Sequence, residues 1–266
     1  MSLLDDALLL LQAKQPRPGG FVVQGNALDV LAKMPSQSVD LVLTDPPYFL
    51  SNGGTTVRSG KRASVDKGDW DVSAGVRADF EFHRRWLRSC QRVLRPEGTA
   101  WIFGTHHCLY AIGFAMQLAG WRVINHVTWE KPNPPPNSGC RCLTHSTEGV
   151  IWASPNRDRP LRYVFNYDDA KAETGKQMKD VWRGTSPLAE EKALGKHPTM
   201  KPQWILDRII EISTEPGAVI LDPFCGSGSA GVSALRLARA FVGIDLDDEY
   251  HELALRRLAA AGATGV

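Results

Sequence analysis

The stretch that most constrains the fold of this chain is a short apolar run followed by Asp45, Pro46, Pro47 and Tyr48. Residues 39–44 are mostly β-branched and apolar, are too few for a helix and have polar neighbours, which predicts a buried central strand. Asp45 then stands at the carboxyl end of that strand, where ligands bind in open α/β sheets. The two prolines fix φ and disfavour helix before them, so the chain should leave the strand stiff and extended.

The four residues after the strand suit a planar ring that carries an amino group. The lone pair of such an amine is delocalised into the ring, which makes the nitrogen a poor nucleophile. The Asp45 carboxylate and the Pro46 carbonyl can accept both N–H bonds and leave the lone pair free. The Tyr48 ring offers a stacking face for a base lifted out of its helix. The alternative is an ordinary strand with an Asp-Pro turn.

Length and charge narrow the class of protein. The chain has 266 residues, enough for one large α/β domain with a sizeable core. Because the net charge is only +2, a nucleic-acid partner would have to meet local basic patches. Five cysteines without regular spacing indicate reduced thiols and a cytoplasmic location. No apolar stretch approaches the roughly 20 residues that span a bilayer, so we expect no membrane contact.

Strand and helix patterns alternate along the chain, which predicts an α/β fold. Two irregular segments interrupt them. Residues 51–79 are polar, glycine-rich and basic, which favours a mobile segment that closes over substrate and contacts phosphates, with surface disorder as the alternative. Residues 137–196 interleave basic and aromatic side chains, a pattern suited to phosphates and base edges.

Two small groups of histidine and cysteine side chains are candidates for metal ligands. His106 and His107 have no second cluster with ligand spacing, and Cys140, Cys142 and His145 are spaced too tightly for the usual zinc knuckle. We therefore predict no metal site.

A second strand and turn, near the C-terminus, predict a nucleoside site. The apolar run 218–221 ends at Asp222, Pro223 and Phe224, and Gly226 and Gly228 let the chain turn tightly against a ligand. Asp245 ends the next strand, about 20 residues beyond the glycine turn, where an acid can bind ribose hydroxyls.

Thr199 and Lys201 stand just before an amphipathic helix. Their hydroxyl, ammonium and backbone N–H groups could bind a carboxylate. An ordinary proline-initiated helix start is the alternative.

Together with Gly231, these glycines also match the dinucleotide fingerprint Gly226-x-Gly228-x-x-Gly231. A nicotinamide-dependent oxidoreductase is therefore an alternative function. Only about 35 residues follow, too few for the remaining strands of a dinucleotide fold that begins there. The N-terminal part must complete the sheet, which makes the Asp45 strand and the nucleoside site neighbours.

In this order the motifs resemble those of the β class of S-adenosylmethionine-dependent DNA amino-methyltransferases, in which the catalytic motif precedes the cofactor motif. The resemblance covers nearly the whole chain. Its motifs are Asp45 to Tyr48, Leu94 to Gly98, Trp129 to Asn133, His197 to Pro202 and Phe224 to Gly228.

The resemblance implies a Rossmann-like methyltransferase sheet of seven strands, one of them antiparallel, with a circularly permuted motif order. Residues 1–136 would form the catalytic part, 137–196 a small target-recognition insertion, and 197–266 the cofactor-binding part of the same domain. The methionine end of the cofactor would lie by Asp222 to Gly228 with Thr199 and Lys201, and its ribose by Asp245. Family members often carry an acid near the cofactor adenine, where this chain has Asn26.

The predicted reaction is methyl transfer to adenine N6 of an extruded base that stacks on Tyr48 and also touches Phe49. Asp45 and the Pro46 carbonyl would bind the amine. Cytosine N4 is the nearest alternative, RNA or protein amide methylation is more distant, and a catalytically silent DNA-binding module would need a broken motif. Expected partners are double-stranded DNA, a second copy of the chain as a homodimer, and a cognate restriction endonuclease.

Overall fold

The structure is a computed structural model that describes residues 3–12, 19–51, 53, 55–58, 61–64, 68–137, 140–156 and 162–262, of which 55–58, 61–64 and 69 are described by backbone only. The helices are α1 (Leu3–Gln12), α2 (Ala27–Lys33), α3 (Val76–Val93), α4 (Leu109–Leu118), α5 (Tyr167–Thr174), α6 (Gln203–Ser213), α7 (Ser229–Arg236) and α8 (Asp248–Ala260). The strands are β1 (Gly20–Gln24), β2 (Val39–Thr44), β3 (Thr55–Arg58), β4 (Lys61–Ser64), β5 (Leu94–Gly104), β6 (Arg122–Glu130), β7 (Thr147–Ser154), β8 (Val181–Arg183), β9 (Val219–Asp222) and β10 (Ala240–Asp245).

One sheet of eight strands runs through the domain in the order β1-β10-β9-β2-β5-β7-β6-β8. Among the described strands of this sheet, only β7 is reversed, because it pairs antiparallel with both β5 and β6. The predicted sheet with one antiparallel strand is therefore confirmed, but its count of seven is one strand short. The eighth strand, β8, has three residues and pairs with the outer side of β6. So short a strand leaves no periodic signal in the sequence.

The two C-terminal strands lie within the sheet and not at its edge. β9 and β10 insert between β1 and β2, and Leu41 and Val42 of β2 pair with Ile220 and Leu221 of β9. The two motif-bearing strands are thus direct neighbours, as the order of motifs predicted. β1 and β2 run parallel but are not adjacent, although a single helix connects them.

Helices cover both faces of the sheet, as expected for a doubly wound α/β fold. The core against one face includes side chains of α1, α2, α3 and α4. The core against the other includes side chains of α5, α6, α7 and α8. On α3, Trp86, Leu87, Cys90 and Val93 are fully buried at helical spacing, so this stripe fixes the helix that flanks the crevice.

Several local features differ from the sequence predictions. A two-stranded hairpin of β3 and β4 occupies part of the segment expected to be irregular. Lys67 and the side chains of Arg58, Lys61 and Arg62 lie outside the described residues, as do Arg157 and Arg159. Helix α3 begins at Val76, and Asp79, in its first turn, accepts hydrogen bonds from the Ser73 hydroxyl and the Ala74 N–H.

Part of the range 137–196, which was predicted to be an insertion, belongs to the main sheet. It contains β7, which lies between β5 and β6, and the edge strand β8. The other described elements of the range are α5 and a 3₁₀ turn at Glu190–Lys192. Throughout the part of the chain that the structure describes, no helix has the length and apolar character needed to cross a membrane.

Candidate active site

A cavity of about 650 Å³ opens at the carboxyl edge of the sheet, beside the ends of β2, β9 and β10. Most residues singled out in the sequence line it: Asn26, Asp45, Pro46, Pro47, Tyr48, Thr199, Lys201, Asp222, Pro223, Phe224, Gly226 and Asp245. Gly228 is not a lining residue. A Cβ at Gly228 would lie 2.9 Å from Leu258 and 3.0 Å from Ala254, so this glycine permits close packing of α8.

Both oxygens of the Asp45 carboxylate accept hydrogen bonds from neighbouring side chains. The Tyr48 hydroxyl donates to Oδ1 and the Lys201 ammonium donates to Oδ2. Tyr48 is buried, and burial together with the nearby charge of Asp45 raises the pKa of its hydroxyl well above the ordinary value. The phenol is therefore a proton donor to Asp45 throughout the physiological pH range.

Lys201 is a buried ammonium held between two carboxylates. Besides Asp45, its Nζ lies 3.5 Å from Glu148 Oε2 and 3.3 Å from the Thr199 carbonyl oxygen. Burial alone would lower the pKa of Lys201, but Asp45 and Glu148 outweigh it and raise the pKa above the ordinary value. Lys201 thus stays charged, and its positive charge lies on the Asp45 side of the cavity.

Asp71, which the sequence analysis missed, fixes the chain that follows Asp45. It is fully buried, and its carboxylate accepts hydrogen bonds from the backbone N–H groups of Tyr48, Phe49 and Leu50 at 3.0, 2.7 and 3.2 Å, and from the Ser51 hydroxyl at 2.9 Å. An anion that gathers consecutive N–H groups orders a loop without any regular structure. No spacing rule links residue 71 to residues 48–51.

Asp222 connects the two motifs. It is buried, and its Oδ1 accepts a hydrogen bond of 2.6 Å from the Thr44 hydroxyl and one of 3.1 Å from the Phe224 N–H. Burial raises the pKa of Asp222 to about 7, despite those two hydrogen bonds.

Asp245 secures the glycine turn. Its Oδ2 accepts a hydrogen bond of 2.6 Å from the Gly226 N–H, and its Oδ1 accepts one of 3.0 Å from the Asp247 N–H. Burial raises the pKa of Asp245 to about 6. The carboxylate therefore shapes the turn and also faces the cavity.

Asn26 and Thr199 have structural partners as well as a place on the cavity wall. The Asn26 side-chain oxygen accepts from the Leu28 N–H at 2.9 Å and caps α2. The Thr199 hydroxyl lies 3.2 Å from His197 Nδ1. The first N–H of α6, on Gln203, donates to Glu191 and is not open to a ligand. The predicted cofactor contacts of Asn26, Thr199 and Lys201 stay predictions.

Aromatic rings supply much of the wall. Trp70, Phe82, Phe103 and Tyr250 line the cavity in addition to Tyr48 and Phe224, although no pattern in the sequence assigned them to a site. Phe49, expected to touch the substrate ring, instead packs against Phe82 and His83, with centroid distances of 5.4 and 5.5 Å. Phe49 has a positive φ of 58°, so the backbone changes direction at this residue.

His106 stacks on His145, with ring centroids 5.0 Å apart, and Cys140 and Cys142 are exposed. Within the described ranges, no group of three or more potential ligands is arranged to hold a metal ion.

Comparison with known proteins identifies the family. The family model described as DNA methylase matches residues 39–256, which include both motif-bearing strands. The chain belongs to this DNA methylase family. It is 48% identical over 244 residues to the Type II methyltransferase M2.DpnII of Streptococcus pneumoniae, covering 91% of each protein. It is 44% identical over 260 residues to M2.LlaDCHI of Lactococcus lactis subsp. cremoris, covering 97% of this chain and 96% of the relative.

Solved structures share the architecture of this DNA methyltransferase. The complex of M1.HpyAVI with SAM matches with a TM-score of 0.67 and 26% identity, over 89% of this chain and 98% of that one. The cytosine-N4-specific PvuII DNA methyltransferase matches with a TM-score of 0.70 over 91% of this chain and 88% of that one. At 17% identity, this second likeness shows the fold alone.

Proposed function

We propose that this DNA methyltransferase transfers a methyl group from S-adenosylmethionine to N6 of adenine in double-stranded DNA. The observation that carries the proposal is the junction of the two motifs. Asp45 directly follows β2, and the last residue of that strand, Thr44, is hydrogen-bonded to Asp222, which ends β9. An acceptor for the amine and a site for the methyl donor therefore share one cavity.

The residues present fit S-adenosylmethionine. The cavity volume lies within the usual range of about 300–1,000 Å³ for small-molecule sites. Asp222 and Asp245 provide acidic groups toward a sulfonium, an ammonium and ribose hydroxyls. Gly226 leaves room that a side chain would fill, because a Cβ there would lie 2.9 Å from His197 Nε2. When bound, the cofactor supplies an electrophilic methyl group, and the electron pair of the broken C–S bond stays on sulfur.

The side chains of the Asp45 cluster prepare the amine. Asp45 and the Pro46 carbonyl accept hydrogen bonds from the two N–H bonds of adenine N6, which favours a pyramidal nitrogen with a free lone pair. The nitrogen then forms the new N–C bond and releases one proton, which Asp45 can accept. Positioning and charge stabilisation account for the rate, and the protein forms no covalent bond to the base.

Aromatic residues receive the base. Unstacking a base from duplex DNA costs a few kcal/mol, which stacking in the pocket offsets. We assign the stacking role to Tyr48, with Trp70 and Phe82 as further faces on the same cavity wall. The residues of 137–196 outside β7 and β8 would contact the target sequence.

We also propose a biological role and partners for the protein. The Type II relatives support a role in restriction and modification, with a cognate endonuclease, in the cytoplasm. A homodimer would enlarge the DNA-contacting surface. Size-exclusion chromatography with light scattering, with and without duplex DNA, tests for a dimer.

The experiment that identifies the substrate uses unmethylated duplex DNA and S-adenosylmethionine with a labelled methyl group. After digestion to nucleosides, mass spectrometry should find the label in N6-methyladenine. Label in N4-methylcytosine would mean that the same mechanism acts on cytosine instead of adenine. A thermal shift with S-adenosylmethionine and none with a nicotinamide cofactor would exclude the oxidoreductase alternative.

A further inference from the structure

Four charged side chains of alternating sign form a connected chain behind the reacting amine: Asp45, Lys201, Glu148 and Lys131. Their side chains are 8–20% exposed. Asp45 and Lys201 belong to the motifs considered above. Glu148 contacts Lys201, and Lys131 lies in the Trp129 to Asn133 motif, but neither has a part in the reaction described above, so they need a separate explanation.

The far end of the chain is rigid. Lys131 donates to Glu148 Oε1, and its ammonium lies 4.6 Å from the centroid of the Trp129 ring. Trp129 and Glu148 are register partners on β6 and β7, and the Lys131 N–H donates to the Ser146 carbonyl at 2.8 Å. The sheet therefore holds Glu148 in place, and Lys131 neutralises one of its oxygens.

At the near end, the Lys201 ammonium has more than one acceptor within reach. The Lys201 ammonium has three N–H bonds and faces three acceptors, which are Asp45 Oδ2, the Thr199 carbonyl at 3.3 Å and Glu148 Oε2 at 3.5 Å. The contact with Asp45 is the closest, and the one with Glu148 is at the outer limit of a hydrogen bond. The Tyr48 hydroxyl holds Asp45 Oδ1 and the Lys201 ammonium holds Oδ2, so a substrate amine would have to share one of these oxygens with a donor already present. Glu148 Oε2 offers the ammonium a second carboxylate within reach.

We propose that Glu148, anchored by Lys131, is a positioning residue that draws Lys201 away from Asp45 when the substrate amine binds. The assignment rests on the proposed function. The ammonium then keeps a carboxylate partner in both positions, which avoids leaving a buried charge without compensation. Glu148 acts through Lys201 and not on the base.

Removing the charge of Glu148 has two consequences. Lys201 should remain on Asp45 and compete with the amine, and the pKa of Lys201 should fall because Glu148 helps to raise it. The other titratable groups near Lys201 are the Asp45 carboxylate, the Cys108 thiol and Tyr48, whose ring faces the ammonium, with Lys131 beyond Glu148. Because only the charged ammonium competes strongly for Asp45, the rate deficit of a Glu148→Gln variant should narrow at alkaline pH.

The test compares single-turnover methyl transfer by the wild type and by Glu148→Gln. We expect the transfer rate to fall about a hundredfold, as for a small misplacement of a catalytic group, while the Kd for S-adenosylmethionine changes less than about twofold. The rate deficit should also narrow as the pH rises. Lys131→Met, which retains the apolar stem over Trp129, should act in the same direction, and the double variant should be less than additive.

Glu252→Gln is the matched control, because Glu252 forms an exposed ion pair with Arg256 at 3.7 Å on α8. It should leave both rate and pH profile unchanged. A wild-type rate and pH profile in Glu148→Gln would overturn the inference. So would a rate loss matched by equal losses of folded protein and cofactor binding, which would indicate a structural role only. If the wild type itself methylates no adenine, the proposed function fails first, and this inference fails with it.

Discussion

The Thr44 hydroxyl donates a hydrogen bond of 2.6 Å to the Asp222 carboxylate, although the two residues are 178 positions apart. This bond joins the end of β2 to the end of β9. It places Asp45, the next residue after Thr44, beside the glycine turn that follows Asp222. The geometry of methyl transfer therefore depends on how two adjacent parallel strands are paired.

Asp222 should make the stability of the ligand-free protein depend on pH. Its pKa is about 7 in the folded state against an ordinary value of 3.8, so its contribution to stability is fully present below about pH 4 and is lost as the pH rises through 7. Relative to an Asp222→Asn variant, the wild type should lose up to about 1.4 kcal/mol of unfolding free energy per pH unit in this window. Urea unfolding at several pH values measures this difference, and parallel pH curves would contradict it.

Cofactor affinity should show the opposite trend. The positive charges of S-adenosylmethionine favour the ionised form of Asp222, so the affinity of the wild type should rise as the pH passes through about 7. Thr44→Val removes a hydrogen bond that lowers the pKa of Asp222, and the midpoint should therefore move to higher pH. Isothermal titration calorimetry of both proteins, with Asp222→Asn as the reference without this titration, checks the order of the midpoints.

Gly226→Ala should weaken cofactor binding by more than backbone strain alone explains. Gly226 has φ 50°, and a Cβ there would lie 2.9 Å from His197 Nε2. Gly217→Ala is the control, since Gly217 has φ 84° but nothing within 4 Å of the added Cβ. Both variants should lose about 1 kcal/mol of stability through their backbone conformation, and only Gly226→Ala should lose affinity tenfold or more. Equal affinities in the two variants would exclude the crowding explanation.

Asp71→Asn should loosen the chain that follows Asp45. The amide keeps one acceptor oxygen but places N–H donors against the backbone donors of residues 48–50, which should cost about 2–4 kcal/mol of unfolding free energy. The transfer rate should fall, while the Kd for the cofactor should change little. Asp29→Asn, on the exposed side of α2, should stay within about 0.5 kcal/mol of the wild type. An Asp71→Asn variant with wild-type stability and rate would show that the loop needs no such anchor.

The sequence predicted the parts of the site that follow strands. Asp45, Asp222 and Asp245 each end a short apolar run, and parallel strands bring their carboxyl ends to one edge of a sheet. The order of the motifs also predicted that β9 would lie beside β2. These inferences succeeded because the alternation that marks a strand is a local property of the sequence, and because the order of strands and helices along the chain indicates parallel pairing.

The parts that escaped prediction depend on side chains from distant segments. Asp71 binds the backbone of residues 48–51 from a 3₁₀ turn at Asp69–Asp71, and Glu148 meets Lys201 only because β7 lies beside β5 and β6. The eighth strand was missed because three residues carry no period. In each case, the tertiary pairing determines the contact and the local sequence does not.

The most direct test of the central claim is single-turnover methyl transfer to duplex DNA by an Asp45→Ala variant, with cofactor binding measured on the same sample. If Asp45 binds the reacting amine, methyl transfer to adenine should be abolished, while the Kd for S-adenosylmethionine stays close to that of the wild type. A variant that retains more than about a tenth of the wild-type rate would contradict the assignment of Asp45.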